Sequence, residues 1–407
     1  MTCYSDRATM YSMLFSDSLD IGNESNRSQG NFYNEDEEFR RKLEHLEWVA
    51  YGVIAPMLIA IGIIGNLLNL VVLTRPNLKG VMYTYLTWLA ISDLMSLIFT
   101  IPTVLRFVGM SLTDYYSSFY HAHLELALVN AFMACSVFIV VAVTVDRYFS
   151  VSKPTKFKKV HTHSRARLWI VTAYVSSFVL YIPVCFFKYV EAEPDLSSPG
   201  KTRYLVKENF AVSHAPIWTV YLYVKESVVR LGPTVVLTFL NIAIIVAFQR
   251  VVRKRKTLFN TSRLGTSSGS PGNRVATCES GQKDVSANIQ EERRLVMLLI
   301  AVVVMFVITM TPAAFLTLFL SNENARSFSF QAFRAFANNM EFVNYAMNFY
   351  LYCLCSSEIR RTVVQMFYFG KTKSPLRGRN SLHPPVTRTR LSIPNEQPTT
   401  TFVDSRI

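Results

Sequence analysis

The sequence predicts an all-α membrane protein: a bundle of seven transmembrane helices followed by a short amphipathic helix at the inner membrane surface. Only 17% of the 407 residues are charged, whereas a soluble domain carries about 25%. The mean hydropathy is +0.23, and long apolar blocks alternate with short charged segments. Because lipid offers no hydrogen-bond partners, each block that crosses the membrane must satisfy its own backbone, which favours a helix.

Seven apolar stretches divide the chain into four regions. Residues 1–47 are polar and mostly acidic, so we expect an extracellular segment, and 48–355 holds the transmembrane helices. Residues 356–369 mix charged and apolar positions, which predicts an amphipathic helix on the membrane surface. The tail 370–407 and the Ser-rich and Gly-rich loop 252–290 are predicted to be disordered. The apolar stretches are 48–74, 81–108, 122–152, 166–189, 216–251, 292–320 and 330–355.

Basic residues indicate how the chain is oriented in the membrane. The loops after the first, third and fifth stretches are rich in Lys and Arg, whereas 109–121 has none. Positively charged loops stay in the cytoplasm. We therefore expect a plasma-membrane protein with a cytoplasmic C-terminus and an extracellular N-terminus. The N-terminal segment carries glycosylation sequons at Asn23 and Asn26. The net charge of +14 is therefore assigned to membrane topology and contact with membrane lipids, and no nucleic-acid partner is expected.

Polar residues inside the apolar stretches form a first candidate site. Asp93 lies midway along the second stretch, with Asn66 in the first, Ser136 in the third, and Asn344 and Asn348 in the seventh. An ionisable residue inside a membrane helix is energetically expensive and indicates function. The oxygen atoms of these side chains suit a small cation, whereas a polar cluster that joins helices is the structural alternative. The residues alone leave both interpretations open.

A second candidate site lies at the cytoplasmic end of the third stretch, at Asp146, Arg147 and Tyr148. Arg147 can pair with its neighbouring acid, or release it and bind something on the cytoplasmic side. Such a pair is a two-state element biased by charge. Glu292, at the start of the sixth stretch, is a second candidate partner. The alternative is an interfacial Arg that extends to the lipid headgroups without a switching role.

A third candidate site consists of charged residues near the outer ends of the second, third, fifth and seventh stretches. Charges at this depth seldom face lipid, so they predict a cavity between helices. A cavity of mixed sign, rimmed by aromatic residues such as Tyr85, Trp218 and Tyr221, suits a charged peptide end better than a steroid. Internal ion pairs with no ligand role are the alternative. The candidate residues are Arg106, Glu125, Glu226, Arg230, Arg334 and Glu341, together with His123 and Lys225.

The order of motifs along the chain resembles that of the rhodopsin-like (class A) G-protein-coupled receptors over roughly residues 48–369. Each motif alone is weak, but their order on successive crossings is specific. The segment Asn348-Phe349-Tyr350-Leu351-Tyr352 resembles the Asn-Pro-x-x-Tyr pattern of the seventh helix. The other matching elements are Gly65-Asn66 with Asn69, Leu89-Ala90-Ile91-Ser92-Asp93, Asp146-Arg147-Tyr148, Trp169, Pro233 and Pro312.

The resemblance implies roles for the candidate residues. Arg147 would contact a heterotrimeric G protein in the active state, with Asp146 and Glu292 restraining it at rest. Tyr352 would swing inward on activation. The polar residues match the sodium-pocket positions of the family, which favours a sodium ion over a purely structural cluster. This pocket would contain Asn66, Asp93, Ser136, Asn344 and Asn348.

Three departures from the family pattern affect the expected mechanism. Phe349 replaces the proline of the seventh helix, and Met310 replaces the tryptophan of the sixth, so the trigger beneath the ligand must differ. Neither the segment 121–123 nor the loop 190–215 contains the cysteine that forms the usual outer disulfide. Because a disulfide typically contributes about 2–4 kcal/mol, the outer loop must be held by other contacts or be more mobile.

The ligand class follows from a closer resemblance to the invertebrate FMRFamide, myosuppressin and sex-peptide receptor group, which implies an amidated neuropeptide. Val129 occupies the position at which the amine receptors of the family carry an Asp, so we do not expect a biogenic amine. We hypothesise that Glu341 or Glu125 receives an Arg of the peptide, because Arg and carboxylate form bidentate pairs. The resemblance to this group lies in the segments 239–242, 253–259 and 347–353.

Other classes fit the sequence less well. A chemosensory receptor for a small molecule remains the alternative. A light-driven pump needs a Lys on the last helix, and 330–355 has none. The repeats of a transporter, the charge rings of a channel and the catalytic constellations of an enzyme are not evident. The tail carries Ser and Thr beside Arg, which indicates kinase and arrestin partners, and residues 405–407 match a weak signal for a PDZ-type partner.

Overall fold

The computed structural model of the chain describes a bundle of long helices. Six of the described helices are long and apolar enough to cross a membrane: α1 (Glu37–Leu73), α2 (Val81–Phe107), α3 (Tyr115–Ser152), α4 (His163–Phe186), α5 (Pro216–Arg253) and α6 (Val296–Leu316). The described residues are 26–76, 78, 80–110, 114–152, 162–194, 200, 202–264, 294, 296–298, 300–316 and 327–369.

The seventh helix, α7, is not singled out by length and hydropathy. It consists of Phe328–Ala346 and Asn348–Cys355, separated by a break at Met347. Its polar residues, which include Arg334 and Glu341, lower its hydropathy, but neighbouring helices bury them. Charged side chains in a membrane bundle face the interior rather than the lipid. With α7, the described helices form the predicted seven-helix bundle.

The predicted amphipathic helix is present as α8 (Ser357–Phe369). Its first turn is capped by Ser356, whose Oγ accepts a hydrogen bond of 3.3 Å from the backbone N–H of Ile359. The compact unit that contains the bundle ends at Val364, and the residues from Gln365 belong to a second unit. We call the end of the bundle that leads into α8 the α8 end.

Three of the described helices contain a π-helical turn. These turns are Trp48–Ile54 in α1, Tyr120–Glu125 in α3 and Ser227–Leu231 in α5. In α5 the turn brings the carbonyl oxygen of Ser227 to within 2.9 Å of the place that a Cβ at Gly232 would occupy. Only glycine fits there without a shift of the backbone. A π-helical turn inserts an extra residue, so it changes which side chains point into the bundle.

Several helix ends differ from the predictions. The helix of α1 already begins at Asn26, inside the segment expected to be a polar N-terminal region, and α3 begins at Tyr115. The helix of α5 continues to Leu264, so the prediction of disorder from residue 252 is wrong for 252–264. The helix continues there because the residues after 252 include several Arg and Lys, which are good helix formers. Asn23 lies outside the described residues, so the expected glycosylation there stays a prediction.

Small residues bring α1 close to α2 and α7. A Cβ at Gly62 would lie 2.6 Å from Cδ1 of Leu97 and 3.1 Å from Cα of Ala346. At Gly65 it would lie 3.3 Å from Cβ of Phe349. Membrane helices gain packing energy when small residues let their backbones approach. The contact lies beside the break in α7.

Two antiparallel strands, β1 (Lys188–Pro194) and β2 (Thr202–Glu208), form a hairpin between α4 and α5. Lys188 pairs with Glu208 at one end of the ladder. Lys207 Nζ lies 2.7 Å from Glu191 and 2.8 Å from Glu193. These hydrogen bonds raise the pKa of Lys207 above its ordinary value. A contact that raises the pKa of a lysine stabilises the folded state at every pH below the pKa of that lysine in the unfolded chain. The contact of Lys207 is therefore fully formed at neutral pH.

Noncovalent contacts hold the hairpin to the bundle. Ser118 Oγ donates a hydrogen bond of 2.8 Å to the carbonyl oxygen of Tyr204. His123 Nδ1 lies 2.7 Å from the carbonyl oxygen of Cys185, at the end of α4 just before the hairpin. The rings of Phe187 and Trp218 stack with their centroids 5.2 Å apart. The described cysteines are all free: Cys135, Cys185, Cys353 and Cys355. We call this end of the bundle the hairpin end.

Candidate ligand pocket and signalling switch

Four charged side chains of α5 and α7 meet inside the bundle, and we call them the α5–α7 charge cluster: Lys225, Glu226, Arg230 and Glu341. Arg230 donates from Nε to Oε1 of Glu341 over 2.8 Å, and its Nη1 donates to Oε2 of Glu226. Lys225 Nζ lies 3.1 Å from Oε1 of Glu226. Glu341 is 1% exposed and Arg230 is 7% exposed. The π-helical turn of α5 contains Arg230 and turns it toward α7.

A second group, the α2–α3 charge cluster, lies under the hairpin. Arg106 Nη2 donates to both carboxylate oxygens of Glu125 over 2.6 Å, and Thr103 donates to Oε1 of the same carboxylate. His121 Nδ1 lies 3.0 Å from Oε2 of Glu125. Lys188, at the start of β1, donates from Nζ to His121 Nε2 over 3.1 Å. The hairpin is thereby connected to a partly buried ion pair between α2 and α3.

The chain's own arginines already engage the two carboxylates that were predicted to receive a ligand's Arg. Glu125 is paired with Arg106, and Glu341 is paired with Arg230. A buried charge that loses its partner is strongly destabilising. A cationic ligand group must therefore take the place of an internal arginine rather than enter an open site. Arg334 is buried in α7 at 9% exposure.

The aromatic rim of the pocket is only partly as predicted. Trp218 and Tyr221 do lie beside the α5–α7 charge cluster, and Lys225 Nζ is 6.0 Å from the ring centroid of Tyr221. The prediction for Tyr85 is wrong, because this residue lies near Asp146 and Arg147 at the α8 end. The reason is that α2 begins at Val81 on that side, so Tyr85 is about one turn from its start.

The polar pocket in the middle of the bundle is centred on Asp93, which is 0% exposed. Its Oδ2 accepts a hydrogen bond of 2.6 Å from Asn348 Nδ2, and its Oδ1 accepts one from Ser136 Oγ. Residues of α2, α3 and α7 thereby meet at one carboxylate. Three predicted members of the sodium pocket are in direct contact.

The two other predicted members form different hydrogen bonds. Asn344 Oδ1 accepts from Thr309 Oγ1 over 3.1 Å, which joins α7 to α6. Asn66 Nδ2 donates to the carbonyl oxygens of Gly62 and Tyr345, each over 2.9 Å. The break in α7 at Met347 interrupts the backbone hydrogen bonds of the helix. This interruption explains why a side chain of α1 donates a hydrogen bond to the Tyr345 carbonyl. Neither asparagine is hydrogen-bonded to Asp93 in the described structure.

The polar pocket has the chemistry that a small cation needs. Asp93, Ser136 and Asn348 supply carboxylate, hydroxyl and amide oxygens, which are ligands that hard cations prefer. In addition, Asn66 Oδ1 and Asn69 Oδ1 are buried oxygens with no hydrogen-bond partner among the described residues. A buried acceptor without a partner is costly unless an ion or water satisfies it. The oxygen atoms of Asp93, Ser136 and Asn348 fit the sodium ion that the sequence resemblance implies.

The predicted switch lies at the α8 end of α3. Among the described residues, Asp146, Tyr83 and Tyr85 lie close enough to interact electrostatically with the guanidinium of Arg147. Tyr352 of α7 is 0% exposed, and its hydroxyl has no hydrogen-bond partner in the described part of the chain. Tyr148 is half-buried. Glu292 lies outside the described residues, so its pairing with Arg147 stays a prediction.

Comparison with known proteins identifies the family. Residues 65–365 match the family described as "7 transmembrane receptor (rhodopsin family)". The chain belongs to this family. Its function is accordingly that of a G-protein-coupled receptor, and the family consists of signalling receptors rather than enzymes. The predicted resemblance to rhodopsin-like receptors is confirmed.

Relatives of this rhodopsin-family receptor include proteins of nematodes and insects. Probable G-protein coupled receptor AH9.1 of Caenorhabditis elegans is 31% identical over 339 residues, which cover 82% of this chain and 79% of the relative. The FMRFamide receptor of Drosophila melanogaster is 27% identical over 143 residues, 33% of this chain and 26% of the relative. Squid rhodopsin has the same fold, with a TM-score of 0.59 at 17% identity, covering 79% of this chain and 86% of that one.

Some residues of this receptor's sites were missed in the sequence. Tyr83 OH donates to Oε2 of Glu358 over 2.6 Å, which joins α2 to α8 beside the switch. Thr309 binds Asn344, and His121 bridges Lys188 and Glu125. For His121 a signal was available, because it stands four residues before Glu125 and therefore on the same helix face. Nothing in the sequence distinguishes Tyr83 from the other tyrosines of α2.

Proposed function

We propose that this G-protein-coupled receptor is activated by an extracellular neuropeptide. The observation that carries the proposal is the pair of charge clusters at the hairpin end, in which Glu125 and Glu341 are each paired with an arginine of the chain. Supporting it, one relative is named an FMRFamide receptor. In this proposal the receptor lies in the plasma membrane. Its hairpin end and N-terminus are extracellular, and its α8 end and tail are cytoplasmic.

The chemistry of the clusters favours a peptide over an apolar small molecule. Bringing an apolar group against buried ions would desolvate charges without offering them a partner. A peptide Arg or amine can replace Arg230 or Arg106 on a carboxylate, and a charge-assisted pair of this kind is short and strong. Peptide backbone groups can also pair with the polar edge of the hairpin. Val129 offers no charge to a biogenic amine.

At the α8 end, Arg147 is the residue that we expect to contact a heterotrimeric G protein. Release of its interaction with Asp146, and with Glu292, would free the guanidinium for the partner protein. Tyr352 is poised for this change, because its buried hydroxyl has no hydrogen-bond partner among the described residues. Movement of α7 would give that hydroxyl a partner, which lowers the free energy of the moved state.

Asp93, Ser136 and Asn348 are the residues that would hold a sodium ion. When bound, the ion supplies a positive charge next to a buried carboxylate. The contribution of the chain is to keep the carboxylate between α2, α3 and α7 and to exclude bulk water from it. Contacts of the tail 370–407 with kinase, arrestin or a PDZ-type partner, and glycan attachment at Asn26, are proposals from the sequence alone.

The test is nucleotide exchange on a G protein in membranes from cells that express the full chain. We expect a saturable response to a member of an amidated neuropeptide library, and its loss in Arg147→Ala at equal surface expression. Arg165→Ala is the matched control, because Arg165 lies exposed at the start of α4 near the same end. Glu125→Lys with Glu341→Lys should abolish the peptide response. A response to small odorants with silence to every peptide would contradict the proposal.

A further inference from the structure

The ion pair between α5 and α7 shares its arginine with a second carboxylate, which a purely structural ion pair does not need. Arg230 contacts two carboxylates at once: Glu341 across the bundle, through Nε at 2.8 Å and Nη2 at 2.7 Å, and Glu226 on its own helix. We infer that the Arg230–Glu341 bridge holds this receptor at rest, and that a ligand cation opens it by binding Glu341. The second clause rests on the proposed peptide ligand; the first does not.

The bridge can open without leaving Arg230 unpaired. Glu226 lies one turn before Arg230 on α5, at the i,i+4 spacing at which side chains meet on a helix. When the ligand's cation takes Glu341, Arg230 retains Glu226, so each buried charge keeps a partner. An isolated buried pair has no such option, because breaking it strands a charge in a low-dielectric interior. The double contact therefore makes the bridge exchangeable at low cost.

The α5 side of the bridge is the deformable part of that helix. Arg230 lies within the π-helical turn Ser227–Leu231, and Pro233 lies two residues after the end of this turn. A π-helical turn is less stable than regular α-helix and is common at functional sites. Gly232 packs against the Ser227 carbonyl, so a small change in the turn repositions the backbone there. The bridge ties this adjustable turn to a fixed point on α7.

The α7 side connects the bridge to the polar pocket. Glu341 and Asn344 stand at i and i+3 on one face of the first part of α7, and Asn348 begins the second part directly after the break at Met347. Asn344 is bonded to Thr309 of α6, and Asn348 is bonded to Asp93 of α2. A rotation or shift of α7 at Glu341 therefore changes contacts with α6 and α2 in the same movement.

The experiment measures ligand-free nucleotide exchange by the full-length receptor in membranes, normalised to surface expression. Glu341→Gln keeps the shape of the side chain and removes its charge, so we expect basal exchange to rise about fivefold or more. Arg230→Lys keeps the charge for Glu226 but cannot reach both carboxylates as a fork. It should also raise basal exchange, and it provides a second route if the first variant folds poorly.

Asn338→Ala is the matched control. Asn338 is buried on α7 close to Glu341, and its Nδ2 donates over 2.9 Å to the hydroxyl of Tyr51 in α1 rather than to α5. Unchanged basal exchange in this variant, with a rise in the other two, would support the bridge as a restraint. An equal rise in all three would mean that any loosening of α7 activates the receptor, and it would overturn the inference.

The outcomes separate the bridge from the ligand proposal. Basal exchange that stays at the wild-type level in both Glu341→Gln and Arg230→Lys, at normal surface expression, would overturn the bridge while the peptide proposal could still hold. Raised basal exchange without a response to any peptide would support the bridge and contradict the proposed ligand. Raised basal exchange, together with a peptide that activates wild type and loses potency in Glu341→Gln, would support both clauses.

Discussion

The side-chain amide of Asn66 in α1 donates a hydrogen bond of 2.9 Å to the carbonyl oxygen of Tyr345 in α7, two residues before the break at Met347. A second bond of 2.9 Å runs from the same nitrogen to the carbonyl oxygen of Gly62. A helix break frees backbone acceptors inside the membrane, where water cannot satisfy them. Asn66 is thus the side chain that makes an interrupted α7 tolerable beside α1.

Replacing Asn66 by Ala should destabilise the receptor because it leaves the Tyr345 carbonyl buried without this donor. We expect a loss of about 1–3 kcal/mol, the cost of an unsatisfied buried acceptor. The measurement is the thermal unfolding midpoint of the detergent-solubilised protein. Asn69→Ala is the control, since neither amide atom of Asn69 has a hydrogen-bond partner among the described residues. An equal decrease in both variants would contradict this role of Asn66.

Gly62→Ala should reduce stability through overpacking between α1 and α7. The added Cβ would meet Cα of Ala346 at 3.1 Å, and a backbone atom cannot move aside as a side chain can. Overpacking of a filled core costs about 1–3 kcal/mol. Gly52→Ala serves for comparison, because its Cβ would lie 3.5 Å from the Trp48 ring, an ordinary contact. If Gly62→Ala unfolds at the wild-type temperature, the close approach of α1 and α7 described above is incorrect.

Sodium should stabilise the wild-type receptor, and Asp93→Asn should remove this effect. At a tenfold excess over its dissociation constant an ion stabilises the state that binds it by about 1.4 kcal/mol. Unfolding midpoints would be compared in sodium chloride and in choline chloride at the same ionic strength. Asp114→Asn, which changes an exposed helix-capping carboxylate outside the pocket, should keep the sodium effect. A sodium effect that persists in Asp93→Asn would place the ion elsewhere.

Tyr83→Phe should loosen α8 without affecting the rest of the bundle. It removes the hydroxyl that donates over 2.6 Å to Glu358. A hydrogen bond of this kind contributes about 1 kcal/mol, which corresponds to roughly fivefold faster hydrogen exchange in the first turns of α8. Tyr350→Phe removes a hydroxyl whose hydrogen bond to the Ile61 carbonyl is longer, at 3.5 Å, and should leave the exchange of α8 unchanged. Identical exchange in wild type and Tyr83→Phe would refute the link.

The fold was predictable because its strongest signal is local. Apolar length identifies six of the helices, and the motif around Asn348 identifies α7 even though Arg334 and Glu341 reduce its hydropathy. Helix ends were harder to predict. No run of apolar residues marks the extension of α5 to Leu264. A helix beyond the membrane is stabilised by the helix propensity of its residues and by neighbouring contacts rather than by lipid.

The pairing of charges could not be predicted from the same residues. The sequence places Arg106, Glu125, Arg230 and Glu341 near one end of the bundle, but it does not say which cation meets which carboxylate. That choice depends on helix rotation, and each π-helical turn adds a residue that a regular period of 3.6 does not include. Tyr85 shows a simpler error: the end of α2 to which it belongs was misassigned.

The noncovalent attachment of the hairpin has a consequence for how the protein is made and kept. Cys185 is free, and Ser118 contacts the hairpin, and His123 the end of α4 just before it, through reversible hydrogen bonds. Correct assembly of this loop therefore needs neither an oxidising compartment nor a disulfide isomerase. The hairpin should form in a reducing cell-free system, and thiol reagents should leave its geometry intact where disulfide-closed receptors would lose theirs.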